Sequence, residues 1–264
     1  MYMKGMIFMA EWNSEKYLKF ERERTQPSLD LISRLSGDEP KRIIDLGCGP
    51  GNSTHVLYER FKNAEILGVD ASDDMLNKAE KTYPYLKFKK CLLPDGLEKE
   101  DGKFDLIFSN ACIQWIPDQK RLFEAVFSRL NKGGIFAVQV PLRQNSPFYI
   151  MFSKFLNEGK WSFLTSTDVF HNLSSNGYYN LLCEFTSEFT MWETMYFHTV
   201  DSFDSVIDWY SSSGLRPYFE RMDEETKSEF LSDLKKRISE EYTIMANGKV
   251  VLKMPRLFFT AVKE

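Results

Sequence analysis

Short apolar runs alternate with helix-patterned stretches through the first half of the chain. The runs fall at Lys41–Leu46, Glu65–Val69, Leu86–Leu92, Phe104–Ser109 and Ile135–Val140. Each has strand length, and the Leu86–Leu92 run, broken by lysines, is the weakest. Between them, Asn52–Phe61, Asp73–Lys81 and Gln119–Leu130 read as helices, the last stopped by Gly133-Gly134. Strands alternating with helices predict a parallel sheet covered on both faces. Ahead of them, residues 14–35 read as helical, with Ser14 as N-cap and a break or second start at Pro27.

The rhythm changes after Pro141. Residues 147–182 are aromatic-rich and helical in pattern, and Phe185–Phe197 alternates loosely enough for a strand. Residues 202–213 and 223–241 read as helices joined through Gly214-Leu215-Arg216-Pro217, and Lys249–Ala261 has strand character. The predicted organisation is a helical segment over 1–40, an α/β core over 41–141, a helical cap over 142–184 and 200–247, and closing strands over 185–199 and 248–264.

Composition narrows the function classes. With 264 residues and 43% hydrophobic positions the chain can bury a full core. A net charge of −4 leaves no basic footprint for nucleic acid. Cys48, Cys91, Cys112 and Cys183 are spaced for neither zinc nor a disulfide framework, which suits reduced thiols in the cytoplasm. No segment approaches the roughly 20 apolar residues of a membrane span. The expected setting is cytoplasmic, with a small-molecule substrate, no nucleic acid, no membrane and no metal, as a monomer or weak dimer.

The densest chemistry lies at Asp45-Leu46-Gly47-Cys48-Gly49-Pro50-Gly51, between a predicted strand and a predicted helix. Glycines there let backbone N–H groups come close to a ligand. The spacing is G-x-G-x-G, with Asn at position 52, and so departs from the G-x-G-x-x-G of dinucleotide binders. Asp45 suits a cofactor that carries an amine. Asp70 ends the second strand and can accept two ribose hydroxyls. Asn110-Ala111 after the fourth strand and Cys91-Leu92-Leu93 after the third converge on the same crevice.

Asp45–Gly51 followed by Gly68-Val69-Asp70 resembles the class I S-adenosylmethionine-dependent methyltransferases. The likeness extends to trans-aconitate methyltransferases. Trp12-Asn13, Tyr17–Phe20, Glu23–Pro27, Leu106–Ala111, Gln114–Asp118, Ala137–Pro141 and Tyr178-Tyr179 carry it in the first two-thirds. Trp192–Thr194, Thr199, Ile207–Trp209, Gly214–Pro217 and Pro255–Phe258 carry it in the cap and last strand. Cap motifs are the more specific, because the sheet is shared by many activities. The resemblance implies a Rossmann-like, doubly wound, mostly parallel α/β sheet with a helical cap insertion. It also implies S-adenosyl-L-methionine as cofactor and Gly47, Gly49, Gly51, Asp45, Asp70, Ala71, Met75, Leu92, Asn110 and Arg24 as its contacts. Two departures stand out. Cys91 occupies a position where the family often has an Asp for the adenine amine, and Leu142-Arg143 replaces a common Asp-Asn.

The implied reaction makes a methyl ester on a small polycarboxylate, trans-aconitate first. A carboxylate is already ionised at neutral pH, so no acid or base catalyst is assigned. His55, His171 and His198 read as surface or packed residues. Arg216, Arg256, Arg143 and Trp192 are the candidates for binding the acid, since a guanidinium fork matches a carboxylate. Tyr17 and Trp115 are candidates for positioning it. Three other readings stay open: another small or fatty-type acid as substrate, a nucleic-acid methyltransferase, and a cofactor-binding module without turnover.

Overall fold

The computed structural model describes residues 21–264 apart from positions 36, 38, 168, 169, 212 and 213. The strands are β1 (Arg42–Leu46), β2 (Glu65–Asp70), β3 (Lys87–Lys90), β4 (Phe104–Asn110), β5 (Leu130–Pro141), β6 (Phe189–Val200) and β7 (Val250–Val262). They form one sheet in the order β3-β2-β1-β4-β5-β7-β6. β1 to β5 are mutually parallel, while β7 runs antiparallel to both β5 and β6. The strand order reverses between β1 and β4, so the crevice for a ligand lies at the carboxyl ends of those two strands.

Helices cover both faces because each central strand is apolar on both sides. Ile43, Leu106, Phe108 and Phe258 face one apolar cluster; Ile44, Ile107, Val138 and Phe259 face the other. Successive side chains of a strand point to opposite faces, so Ile43-Ile44 serves both layers. The first layer takes α1 (Glu21–Ser33) and α2 (Asn52–Arg60), which precede and follow β1. The second takes α5 (Gln119–Arg129). Two further helices of the core are α3 (Asp73–Thr82) and the single turn α4 (Asp95–Glu98).

The later helices are α6 (Pro147–Asn157), α7 (Ser175–Cys183), α8 (Phe203–Ser211), α9 (Arg216–Phe219) and α10 (Glu224–Glu241). Residues from α6, α8 and α10 join the cluster of α1 and α2, whereas α7 packs on the opposite face. Aromatic stacking ties this layer together. Phe148 lies on Tyr210 with ring centres 3.5 Å apart, and Phe230 meets Phe155 and Trp161 edge-on. No helix among the described residues is long and apolar enough to cross a membrane.

Several local expectations change. β5 starts at Leu130, not at Ile135. Gly133-Gly134 belongs to the sheet, where the pairing with β4 jumps from Phe104↔Leu130 to Leu106↔Ile135. A Cβ on Gly134 would stand 2.9 Å from the Asn131 carbonyl and 3.1 Å from that of Phe104, so glycine serves close backbone approach at a bulge. α1 runs through Pro27 without a break. β6 begins at Phe189, not at Phe185, and the stretch 147–182 divides into α6, a 3-10 segment at Ser162–Thr167 and the start of α7.

Candidate active site

The loop after β1 is pinned from below. The amides of Gly47 and Cys48 both donate to the Val69 carbonyl, at 2.8 and 3.0 Å, and the Gly51 amide donates to the Cys48 carbonyl at 3.0 Å. Gly49 has φ +55°, and a Cβ built on it would meet none of the described residues within 4 Å. The missing side chain therefore faces open space at a left-handed backbone position, which is the shape of a cradle for a ligand. Gly51 caps α2 in the left-handed region with no side-chain cap, so the helix presents its first N–H groups to the same space.

Two carboxylates hold the loop. Asp70 accepts the Gly49 amide at 2.9 Å through one oxygen and the Ser72 amide at 2.9 Å through the other. Burial raises its pKa, and the backbone N–H groups of Ser72, Gly49 and Ala71 partly offset that. Asp45 is fully buried beneath the loop. Its Oδ2 accepts the hydroxyls of Ser53 and Thr54 at 2.6 and 2.7 Å, which anchors the start of α2. Burial pushes Asp45 up to about 6, against the pull of those two hydroxyls, and the charge on Asp70 adds to the rise.

The sign of that shift sets a pH dependence. The folded protein holds the Asp45 proton more tightly than the unfolded chain does, so this group's contribution to stability is complete below about pH 4 and is lost as pH rises through about 6. The loss is on the order of 3 kcal/mol. Asp45→Asn is expected to lack it. Denaturant unfolding of both proteins at pH 4 to 7 should show a difference between them that changes across this window and is flat above it; a constant difference would reject the assignment.

Two cavities meet at the end of the loop. The smaller, about 30 Å³, lies between the loop and α1 and is lined by Gly47, Gly49, Asn52 and Ser53 on one side and Arg24, Thr25 and Ser28 on the other. The larger, about 110 Å³, lies over the carboxyl ends of β4 and β5 and the middle of β7. Arg24 and Asn110 line both. Arg143 and Arg256 complete a set of three arginines around the larger space, and none of the described residues lining it is an Asp or Glu. Aromatic rings fix this wall. The Arg143 guanidinium is 4.1 Å from the ring centre of Tyr149 and 3.9 Å from that of Phe170, and Trp115 lies on Phe170 at 4.2 Å. Arg24 reaches the Trp209 carbonyl at 3.5 Å.

The comparisons with known proteins agree with this geometry. A family model described as a methyltransferase domain matches residues 38–186. The trans-aconitate 2-methyltransferase of Rhodopseudomonas palustris (strain BisB5) is 36% identical over 97% of this chain and 100% of its own length. That of Agrobacterium fabrum is 37% identical over 96% of this chain and 99% of its own. The chain belongs to the trans-aconitate 2-methyltransferase family. Among solved structures, the YcgJ protein of Bacillus subtilis matches with a TM-score of 0.57 at 15% identity, covering 90% of this chain and 99% of that one. Phosphoethanolamine N-methyltransferase 2 of Haemonchus contortus, solved with S-adenosyl-L-methionine, gives 0.54 at 15% identity over 90% of this chain and 52% of that one. At this identity the two structures share the fold with this methyltransferase.

The structure brings together some of the residues expected from sequence and separates others. Gly47, Gly49, Arg24 and Asn110 line the smaller cavity; Arg24, Asn110, Arg143, Arg256 and Trp115 line the larger. Gly51, Asp45, Asp70, Ala71, Met75 and Leu92 line neither. Asp45 sits behind the loop and shapes it. Arg216 is also not brought to the larger cavity, because it opens the short helix α9 and faces Glu220 one turn on, at 3.4 Å. Trp192 lies on the edge strand β6, where it stacks on Phe258 at 5.2 Å and under Arg34 at 4.5 Å. Tyr17 lies outside the described residues. Cys91 packs its sulfur against Gly96, while Leu92 next to it is exposed.

Two buried groups at these cavities were not legible as site residues. Ser28 lines the smaller one and its hydroxyl has no hydrogen-bond partner. Gln139 lies at the floor of the larger one, fully buried, with neither amide atom hydrogen-bonded. Leaving such a group buried and unpaired costs about 1–3 kcal/mol. Only the presence of Gln inside the apolar run Ile135–Val140 signals it in sequence. Burial pushes the Cys48 and Cys112 thiols up, so neither serves as a nucleophile at neutral pH. His198 is pushed down to about 4, by burial first and by Arg256 second, and is neutral at pH 7. Among the described residues no cluster of His, Cys, Asp and Glu could hold a metal ion.

Proposed function

We propose that this chain esterifies one carboxylate of trans-aconitate, taking the methyl group from S-adenosyl-L-methionine. One observation carries the choice of acceptor. Three arginines, and no acidic residue among those described, surround a cavity that shares Arg24 and Asn110 with the glycine loop. Three guanidinium groups on the wall of one cavity suit an acceptor with several carboxylates, since each fork can take one of them.

The loop side fits the donor. Open space over Gly49 admits its amino-acid end, and the unpartnered hydroxyl of Ser28 and carboxamide oxygen of Asn110 await polar groups there. Arg24 stands where it can meet the donor's carboxylate or the acid. Asp70 faces the ribose hydroxyls with the lone pairs that Gly49 and Ser72 leave over. The adenine would run past Ala71 and Met75 towards Leu92, with Cys91 turned away from it. α1 covers the donor through Arg24, Thr25 and Ser28, and the cap over 142–184 and 200–247 selects the acid.

The donor supplies a methyl group made electrophilic by a sulfonium centre. The acceptor carboxylate forms the new O–C bond as the C–S bond breaks, with the bonding pair left on sulfur, so no proton moves and no base is needed. What the chain contributes is alignment, worth roughly 7–11 kcal/mol in favourable cases, and an aromatic wall of Trp115, Tyr149 and Phe170 that excludes water. On this reading the chain acts as a monomer or weak dimer in the cytoplasm, on a small molecule and not on nucleic acid.

The test is methyl transfer from labelled donor to trans-aconitate, cis-aconitate, isocitrate, itaconate and a medium-chain fatty acid. The expected result is a kcat/KM for trans-aconitate at least about tenfold above every other acid. A higher value for the fatty acid would overturn the choice of substrate, and donor binding without turnover on any acid would overturn the reaction.

A further inference from the structure

Gln139 is the strangest residue of the sheet. It sits on β5 between Asn110 of β4 and Phe258 of β7 in register, and its neighbours along the strand, Val138 and Val140, are fully buried and apolar. An apolar side chain of similar length would fill that place without leaving an amide unpaired. Yet both polar atoms of Gln139 lack hydrogen-bond partners, at the floor of the larger cavity. In native structures buried polar groups are almost always paired, and an exception at a cavity calls for a ligand.

Its position says which part of the ligand. Asn110, directly across in register, lines both cavities, and its carboxamide oxygen is also without a partner. The Gln139 carbonyl accepts the amide of Ala111 at 2.9 Å, and Ala111 holds φ +54°, the one non-glycine residue described with positive φ. A strained backbone position bound to β5 thus lies next to Asn110, the residue of β4 that both cavities share. The arginines stand elsewhere on the wall, on α1, after β5 and on β7.

Resting on the proposed reaction, we infer that Gln139 positions the carboxylate that receives the methyl group. Its amide N–H donates to one oxygen of that carboxylate and leaves the other oxygen free to attack. A neutral donor suits this task. A guanidinium on the attacking group would hold back the electron pair that must form the new bond, whereas a carboxamide orients the group and leaves its charge intact. Arg143 and Arg256 then hold the carboxylates that do not react. The division of labour is charge for affinity and carboxamide for alignment.

Gln139→Met separates this role from a structural one. The variant keeps length and volume and removes both polar atoms. It is expected to lower kcat for trans-aconitate about 100-fold, the scale of lost alignment at a reacting centre, while KM for the acid and Kd for the donor stay within about threefold. Its Tm is expected to equal or exceed that of the unaltered protein, because an unpaired amide leaves the core; a residue kept for structure would give the opposite. Gln139→Glu, which sets a carboxylate against the acid, is expected to raise KM about tenfold or more without changing donor affinity. A kcat for Gln139→Met within threefold of the unaltered protein would overturn the assignment alone. Failure of the unaltered protein to methylate trans-aconitate would overturn the substrate and this assignment together.

Discussion

Valine in place of Gly49 is expected to abolish donor binding and leave the protein folded. Gly49 holds φ +55°, where a β-branched residue is strained, and its amide must still reach Asp70 at 2.9 Å. A Cβ there meets none of the described residues within 4 Å, so the new side chain starts into the space the ligand takes. The left-handed backbone costs about 1–2 kcal/mol, which lowers Tm modestly. Donor affinity should drop at least about 100-fold, since the valine both occupies the cradle and turns away backbone groups that would approach the ligand. Calorimetry with the donor reads the affinity, and thermal unfolding in the absence of ligand separates strain from lost binding. Unchanged affinity would remove the loop from the site.

Arg256→Ala is expected to raise KM for trans-aconitate about 10–100-fold, the worth of one charge-assisted pair of hydrogen bonds, with donor affinity nearly unchanged. The residue lies on β7 opposite Pro141 of β5 and lines the larger cavity but not the smaller. A second readout follows from its neighbours. Arg256 is one of the groups holding His198 near 4, and burial is the larger. Its removal should let the His198 pKa rise part of the way towards the ordinary value, which can be followed by NMR. A rise in His198 without any change in KM would place the arginine beside the cavity but outside acid recognition. Arg216→Ala is the matching control: with that side chain directed at Glu220, KM should stay within about twofold.

The legible parts of this molecule are those where one local rule decides the outcome. The run Ile43-Ile44 before a glycine turn could only be a buried parallel strand entering a ligand loop, and Asp70 at the end of the next strand fixed the distance across it. Gly133-Gly134 misled because the same dipeptide suits a helix stop and a bulge, and the choice depends on how β5 pairs with β4, three residues out of step. Among the arginines, no periodicity in a four-residue helix such as α9 tells which way Arg216 points. Arg256 differs, since it pairs with Pro141 at the carboxyl end of β5, where the sheet itself aims it, and Arg143 opens the 3-10 turn just beyond that end. Ser28 and Gln139 gain meaning only from being buried without partners, a property of the packed chain and not of the sequence.

The most direct measurement is a crystal structure with S-adenosylhomocysteine and trans-aconitate bound. The expected density places the amino-acid end of the first ligand over Gly49, and the second between Arg143 and Arg256 with one carboxylate directed at the sulfur. A donor product bound away from residues 47–51, or an acid lying outside the cavity of the three arginines, would contradict it.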